Sequence, residues 1–356
     1  MNEQTLINSM AKDAEELNKL LNGHKTGNYV EIKDCNNLIL FGPPGTGKTY
    51  KMQQDYISKF NSDDYFITTF HQSFSYEEFV EGLKPVLDAS GAEVKYQIEK
   101  GIFYKACERA AELAGYDSLE QFIADENRTE KTKTAIDNHN IVLLCIDEIN
   151  RANVSAVFGD LISLIEPSKR IGAKNEMIVK LPYSKKDFGV PANLMIVGTM
   201  NTADRSIQLL DSALRRRFKF EELLPDYNVL DEEIARPLLE KINARIRCLL
   251  DKDHQIGHAY FIDKKEPKEI FEVMRDCVIP LLEEYFYNDT NKIRQVLNET
   301  KVKDSEHLFY IEDIEAKGAM KELEADFDDE KELFMLNPDL NNEDLEYSDF
   351  LDHIYK

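Results

Sequence analysis

The stretch "NLILFGPPGTGKT", Asn37 to Thr49, joins a short apolar run to a glycine-rich turn that ends in lysine and threonine. Its second part follows the pattern G-x-x-x-x-G-K-S/T, and the helix-like segment "KTYKMQQDYISKF" comes next. In such a loop the glycines let the backbone wrap a phosphate chain, the lysine reaches the terminal phosphates and the threonine hydroxyl supplies an oxygen to Mg²⁺. We therefore predict that the loop binds phosphate, with Thr49 also a metal ligand, through Gly42, Pro43, Pro44, Gly45, Thr46, Gly47, Lys48 and Thr49.

Short apolar runs alternate with helical patterns over the first two thirds of the chain. Near-continuous apolar runs indicate strands that are buried on both faces, as in a parallel sheet covered by helices. The fold class predicted is therefore α/β, with a five-stranded parallel sheet formed by residues 37–42, 65–70, 141–148, 193–200 and 217–223.

The strand pattern stops after Pro225, and helical patterns continue to about residue 310. We expect four parts: an N-terminal helical extension (1–30), a nucleotide-binding core (31–225), a helical lid (226–310) and an acidic C-terminal tail (311–356). The apolar residues of the tail are compatible with a docking peptide or with a helix that folds onto the lid.

The run "IVLLCIDEINRA", Ile141 to Ala152, ends a buried strand with two adjacent carboxylates. After a phosphate-binding loop upstream, this arrangement places Asp147 near the metal and leaves Glu148 to orient or deprotonate an attacking water. Taken alone, acidic residues after a strand could also cap the next helix. The two motifs together predict a site that hydrolyses a nucleoside triphosphate.

The stretch "VGTMNTADRS", Val197 to Ser206, also turns from an apolar run to polar side chains. If this strand lies between the two phosphate-handling strands, Asn201 emerges beside the terminal phosphate and its amide can hold the attacking water. Asn201 or Asp204 could instead cap the helix that follows.

That helical pattern ends in three consecutive arginines, Arg215 to Arg217. Side chains on consecutive helical residues point about 100° apart, so no single partner on the same chain can pair with all three. We therefore expect a role for them at a subunit boundary.

Together these motifs resemble the AAA+ superfamily. "MNTADRS" followed by "ALRRRF" resembles, more narrowly, the McrB family of GTP-dependent restriction motor subunits, as do "FHQSFSYEEFVEGLKP" and "IGHAYF". The resemblance covers roughly residues 30 to 290.

The resemblance implies a homo-oligomer in the form of a hexameric ring, with Mg²⁺ and GTP (or ATP) between subunits. It also implies an McrC-type endonuclease partner, with DNA reached through the complex. Among the residues, it assigns Asp147 and Glu148 to metal and water, and Asn201, Thr202 and Asp204 to a signature motif. Arg216 and Arg217 would act on the neighbouring subunit's nucleotide, and Arg151 would contribute at the same boundary. Restriction members carry a DNA-reading domain before the motor, and only about 30 residues precede it here, so we expect the sequence reader on another polypeptide.

The net charge of −23 is distributed unevenly. Residues 311–356 carry 16 acidic and 4 basic side chains and would repel nucleic acid. Ser168 to Lys186 carries six basic residues and one glutamate, which indicates either a contact for a polyanion or a solvated hairpin. No apolar run is long enough to span a membrane and the N-terminus lacks a signal-peptide pattern, so a cytoplasmic location is expected.

Three classes of function remain compatible with the sequence. The first is the NTP-driven motor of a restriction system, and the second is a protein-remodelling ATPase of the MoxR type without a nuclease. The third, a nucleotide switch that barely hydrolyses, is disfavoured by Glu148 and the arginine cluster.

Overall fold

A computed structural model describes residues 37–87, 94–203, 212–301, 307–322, 333–342 and 345–356, all within one compact unit. Among these residues, five parallel strands form the main sheet: β1 (Leu38–Gly42), β2 (Tyr65–Thr69), β5 (Val142–Asp147), β8 (Leu194–Asn201) and β9 (Lys219–Glu222). Their order in the sheet is β2-β5-β8-β1-β9. The α/β prediction and its five strands are confirmed, and β8 lies between β1 and β5 as expected.

The strand register brings the polar ends of the sheet together. Gly42 pairs with Asn201 across β1 and β8, and Thr69 pairs with Asp147 across β2 and β5. Because all five strands are parallel, their carboxyl ends share one edge, where ligands bind in open α/β sheets. The central strands are buried because their side chains pack on both faces against helices and short helical turns.

The helices of the core region are mostly short. The longest of them is α3 (Ile102–Leu113), and its buried residues Phe103, Cys107 and Ala110 recur at the spacing of one helix face. The core helices are α1 (Lys48–Lys51, continued by a π-helical turn Met52–Tyr56), α2 (Tyr76–Phe79), α3 (Ile102–Leu113), α4 (Leu119–Ala124), α5 (Arg128–Asp137), α6 (Val154–Phe158) and α7 (Ser212–Arg215).

Two antiparallel hairpins lie outside the main sheet, and their strands were not among the five predicted from the sequence. The first joins β3 (Glu81–Leu87) to β4 (Val94–Lys100), and the second joins β6 (Val179–Lys180) to β7 (Asp187–Phe188). Leu83, Tyr96 and Ile98 of the first hairpin lie on one face and are exposed.

A second hydrophobic cluster forms the helical lid. Its helices are α8 (Ala235–Leu249), α9 (Pro267–Val273), α10 (Ile279–Tyr285) and α11 (Thr290–Val296), and a 3₁₀ turn, His258–Phe261, lies between α8 and α9. Pro267 begins α9 at a position where proline costs no hydrogen bond.

The described residues of the acidic stretch after residue 310 pack against the lid helices. Strands β10 (Tyr310–Glu312) and β11 (Phe334–Leu336) pair with each other, and they accompany helices α12 (Ile314–Glu322) and α13 (Tyr347–Tyr355). Leu340, Phe350 and Ile354 are buried in the same cluster as the lid helices. This packing agrees with the expected alternative of a helix folded onto the lid, while the domain boundary at residue 310 stays a prediction. The expected extension 1–30 lies outside the described residues.

The basic segment 168–186 does not form one cationic patch. Arg170 is buried and donates to the carbonyl oxygen of Ile165, while Lys180 and Lys186 form ion pairs with Asp187 and Glu120. The solvated-hairpin interpretation therefore describes the segment better than a contact for a polyanion. Within the described ranges, no helix is both long enough and apolar enough to cross a membrane.

Candidate functional site

The eight residues predicted to bind phosphate run from the last residue of β1, Gly42, through the loop 43–47 to the first two residues of α1, Lys48 and Thr49. At Gly42 a Cβ would lie 2.2 Å from the carbonyl oxygen of Leu223, so a larger residue would clash with the chain after β9. At Gly47 the backbone has φ +79°, which favours glycine, and α1 begins at the next residue. Backbone N–H groups in such turns form concave sites suited to anions.

Lys48 is the first residue of α1, and its side chain folds back onto the loop and is only 7% exposed. Its ammonium group donates to the carbonyl oxygens of Gly42 and Pro43 at 3.0 and 2.7 Å. The hydroxyl group of Thr46 donates to the same Pro43 oxygen at 2.9 Å. The loop thus positions one buried positive charge where a phosphate chain would need it.

Thr49 and Asp147 come from different elements and meet at the sheet edge. The Thr49 hydroxyl donates to Oδ1 of Asp147 at 3.2 Å. Mg²⁺ prefers oxygen ligands and is commonly held by one or two carboxylates plus substrate phosphates, so both oxygens can serve one small cation. These residues therefore fit the predicted metal. No group of three or more His, Cys, Asp or Glu suited to a metal ion occurs in the described part of the chain.

Glu148 follows β5 in the left-handed region, with φ 55°. Its carboxylate accepts a hydrogen bond from the Asn201 amide at 2.6 Å, and Nε of Arg151 lies 3.4 Å from the other oxygen. Non-glycine residues in this conformation are uncommon and concentrate at functional sites. The structure brings the two predicted water-handling residues, Glu148 and Asn201, into direct contact.

Sequence reasoning missed two residues that fix this geometry. The buried hydroxyl of Thr199 donates to Asp147 and accepts the backbone N–H of Glu148 at 3.1 Å, so it ties β8 to both carboxylate residues. The side-chain amide of Asn150 donates to the carbonyl oxygen of Asn201 at 2.9 Å. Thr199 lies two residues before Asn201 and so on the same face of the strand, which is a signal that the sequence does contain.

The three arginines at the end of α7 have different environments. Arg215 and Arg216 are exposed. Arg217 is buried, with its Nε 3.9 Å from Oε2 of Glu166, and its carbonyl oxygen accepts from the Asn37 side chain at 2.8 Å. Asn37 precedes β1, so Arg217 lies at the edge of the sheet opposite the phosphate-binding loop. Its side chain thus has a partner in its own chain.

Asp204 lies outside the described residues. The preceding Thr202 donates its backbone N–H to the carbonyl oxygen of Gly42 at 3.1 Å, so the signature stretch begins directly beside the phosphate-binding loop.

Comparison with known families relates both parts of this architecture to described domains. Residues 37–218 match the AAA domain of the dynein-related subfamily. Residues 235–294 match the McrB alpha-helical lid domain. The chain belongs to the AAA family. Its fold and predicted nucleoside-triphosphatase class are thereby confirmed, and its lid is of the McrB type.

Two curated relatives are similar to this AAA protein over much of its length. The Type IV methyl-directed restriction enzyme EcoKMcrB subunit of Escherichia coli (strain K12) is 35% identical over 74% of this chain and 56% of the relative. The Type II restriction enzyme BsuMI component YdiS of Bacillus subtilis (strain 168) is 29% identical over 52% of this chain and 57% of the relative. The chain thus spans a little over half the length of these two relatives.

Proposed function

We propose that this AAA protein is the nucleotide-driven motor subunit of a restriction system. The observation that carries the proposal is the meeting of Thr49, Asp147, Glu148 and Asn201 at one sheet edge, in a chain that is 35% identical to a restriction-enzyme subunit. The site supports triphosphate hydrolysis, and the relative supports the biological setting. A remodelling ATPase would share the first property but not the second.

Within the site, each residue has a distinct chemical task. The buried ammonium of Lys48 neutralises charge on the terminal phosphates, and Thr49 and Asp147 would hold Mg²⁺, which would supply further charge neutralisation when bound. Glu148 accepts the proton of the attacking water. A carboxylate has about four lone-pair positions, so Glu148 can hold Asn201 and still accept this proton.

Asn201 and Arg151 orient the base. Both contact the Glu148 carboxylate and restrict its rotation. The carboxylate therefore loses less conformational entropy when it reaches the geometry that activates water. Asp204 belongs to the same proposed signature motif. Arg216 is the proposed trans-acting arginine, because it is exposed at the end of α7. Arg217 was assigned the same role by resemblance, but its burial against Glu166 favours a structural role.

The wider assembly follows from the same proposal. Exposed arginines that act on a neighbour require a homo-oligomer, and the resemblance to McrB makes a hexameric ring the proposed form. The ring would drive an McrC-type endonuclease and reach DNA through that complex. GTP is the proposed substrate, with ATP the alternative; this preference rests on the resemblance of "MNTADRS" alone.

Steady-state turnover of GTP and ATP at equal concentrations tests the proposal. The wild-type protein should turn over GTP faster. Glu148→Gln should retain nucleotide binding and lower kcat by about 10² to 10⁴, the usual contribution of a positioned general base. Lys48→Ala should lose binding itself.

Glu284→Gln, which alters an exposed glutamate on α10, is the matched control and should turn over GTP like the wild type. Wild-type turnover in the Glu148→Gln protein would refute the assigned base. Faster turnover of ATP than of GTP would favour the remodelling ATPase.

A further inference from the structure

The lid touches the phosphate-binding loop through the short segment Ile256–Phe261. A Cβ added to Gly257 would lie 2.0 Å from the carbonyl carbon of Gly45 and 2.4 Å from the oxygen of Pro44, so the two backbones are in direct contact. The backbone N–H of Ala259 donates to the Gly45 oxygen at 3.0 Å. The two residues that flank His258, Gly257 and Ala259, therefore hold the lid against the loop.

The orientation of the His258 ring is fixed from the other side. Its Nδ1 accepts a hydrogen bond from the backbone N–H of Asp226 at 3.0 Å. A backbone N–H can only donate, so Nδ1 is unprotonated and the neutral ring carries its proton on Nε2. Burial lowers the pKa of His258, with the nearby Asp226 acting in the opposite direction, which keeps this neutral form at pH 7.

The protonated nitrogen faces the phosphate-binding loop. Nε2 lies 3.8 Å from the position that a Cβ on Gly47 would occupy, and Gly47 directly precedes Lys48. Among the residues that the structure describes, no acceptor on the protein receives this N–H. A hydrogen-bond donor of fixed tautomer thus lies beside a glycine of the loop that is proposed to bind the phosphates.

We propose that Nε2–H of His258 donates a hydrogen bond to the phosphate chain of the nucleotide held by Gly42–Thr49. The inference rests on the phosphate-binding role proposed above for that loop. His258 is then a nucleotide-contacting residue supplied by the lid, and nucleotide binding adds a bond between lid and core beyond those already present. The ligand group is the phosphate chain rather than the base, because the residue that Nε2 faces is a glycine of the loop.

Nucleotide affinity measured by isothermal titration calorimetry tests this contact. GTPγS and ATPγS serve as the probes. His258→Phe keeps a ring but removes the donor, and it should weaken both probes by about tenfold or more, since hydrogen bonds to charged groups are stronger than neutral ones. His258→Gln restores an N–H near the Nε2 position and should stay within about threefold of the wild type, because the donor is retained.

His254→Gln is the matched control. His254 is the other histidine of this lid region, and its Nδ1 pairs with Asp251 within the lid. It should bind both probes like the wild type. Equal weakening in His254→Gln and His258→Phe would show general damage to the lid and would overturn the contact, as would a loss confined to one of the two bases.

A spectroscopic measurement keeps the proposal testable if His258→Phe folds poorly. In protein labelled with ¹⁵N-histidine, the signals absent from His258→Gln identify the ring, whose Nε2–H tautomer should persist and whose Nε2 signal should shift on saturation with GTPγS. An unshifted signal at saturation overturns the proposal. If the wild type itself bound neither probe, or Lys48→Ala bound both normally, the phosphate-binding role of the loop would fail instead.

Discussion

At the scale of single residues, the site depends on a glutamate in an unusual backbone conformation. Glu148 adopts φ 55° immediately after β5, and this directs its carboxylate toward the end of the neighbouring strand β8. Asn201 meets it there at 2.6 Å. The asparagine expected to hold water against the phosphate thus also orients the base, so loss of either side chain should impair the same step.

The sequence predicts some of these residues better than others, for physical reasons. Asp147, Glu148 and Asn201 could be found because polar side chains at the ends of apolar strands are conspicuous. Thr199 was missed because threonine is an ordinary strand residue, and its hydrogen bonds depend on which strand lies next to it. The different environments of Arg216 and Arg217 depend on the packing of Glu166, which no local pattern records.

Mixed assemblies separate the proposed roles of the arginines. Arg216→Ala should fold like the wild type but lose turnover by a factor of about 10³ or more, the usual contribution of an arginine finger. Mixing it with Lys48→Ala should restore part of the activity, because some interfaces then pair an intact loop with an intact arginine. Turnover of the mixture against each protein alone is the measurement.

Two neighbouring arginines serve as comparisons for this experiment. Arg215→Ala, at an exposed position, should retain turnover. Arg217→Ala should lower the unfolding temperature, because its buried side chain pairs with Glu166. If Arg216→Ala shows no rescue in mixtures proven to co-assemble, Arg216 does not act across the interface.

At the scale of elements, the sheet was predictable, whereas the strands of the first hairpin, β3 and β4, were not. Buried parallel strands are continuous apolar runs, whereas β3 and β4 have only one apolar face, Leu83 and Pro85 opposite Ile98 and Tyr96. That alternation is weak evidence in a short segment, and nothing in the chain signals that the face stays exposed. In the structure, Ser75 and Glu78 form a capping box at the start of α2.

A single buried carboxylate joins the two hairpins. Glu81, at the start of β3, accepts the backbone N–H groups of Tyr183 and Ser184 at 3.0 Å each, in the turn between β6 and β7. Glu81→Ala should therefore destabilise the protein by about 1–3 kcal/mol, because it leaves two partly buried donors without an acceptor. The free energy of urea unfolding measures the loss.

Glu77→Ala is the control for Glu81. Glu77 lies on the preceding helix α2, is exposed, and accepts a hydrogen bond from the Tyr183 hydroxyl in the turn between β6 and β7. Its removal should cost no more than about 0.5 kcal/mol, as is usual at the surface. Hydrogen exchange at Tyr183 and Ser184 should accelerate only in Glu81→Ala, and equal exchange in both variants would contradict the link.

At the scale of the whole molecule, the lid is completed by the acidic end of the chain. Arg245 on α8 donates to the carbonyl oxygens of Val296 and Ile354 at 2.9 and 2.8 Å, which connects helices α11 and α13. The sequence predicted a helical lid but placed its end near residue 310, because charge dominates the composition beyond that point. Burial of Phe350 and Ile354 shows that a few apolar residues can anchor a highly charged segment.

The junction between the lid and this segment contains a buried acid, Glu299. Its two oxygens accept the backbone N–H groups of Phe309 and Tyr310 at 2.6 and 3.3 Å, and Nε2 of His353 lies 3.8 Å from Oε1. Burial raises the pKa of Glu299 to about 8, although the two N–H donors and Arg294 act in the opposite direction. Burial likewise lowers the pKa of His353, so a proton added there below pH 6.5 is unfavourable for folding.

The raised pKa of Glu299 makes stability depend on pH in a definite direction. Between its unfolded value near 4.5 and its folded value of about 8, the folded protein binds the extra proton, so the Glu299 contribution to stability falls as pH rises. Urea unfolding at pH 6.5, 7.25 and 8 should show wild-type stability decreasing relative to Glu299→Gln, by at most about 1.4 kcal/mol per pH unit. Glutamine stays neutral over this range and keeps an oxygen that can accept an N–H. Taking the difference between the two proteins cancels the other titrating groups, and starting at pH 6.5 limits the contribution of His353.

Glu284→Gln, at an exposed position, should follow the wild type at all three pH values. A constant difference between wild type and Glu299→Gln would mean that Glu299 is ionised in the folded protein throughout, and that the donors at Phe309 and Tyr310 outweigh its burial.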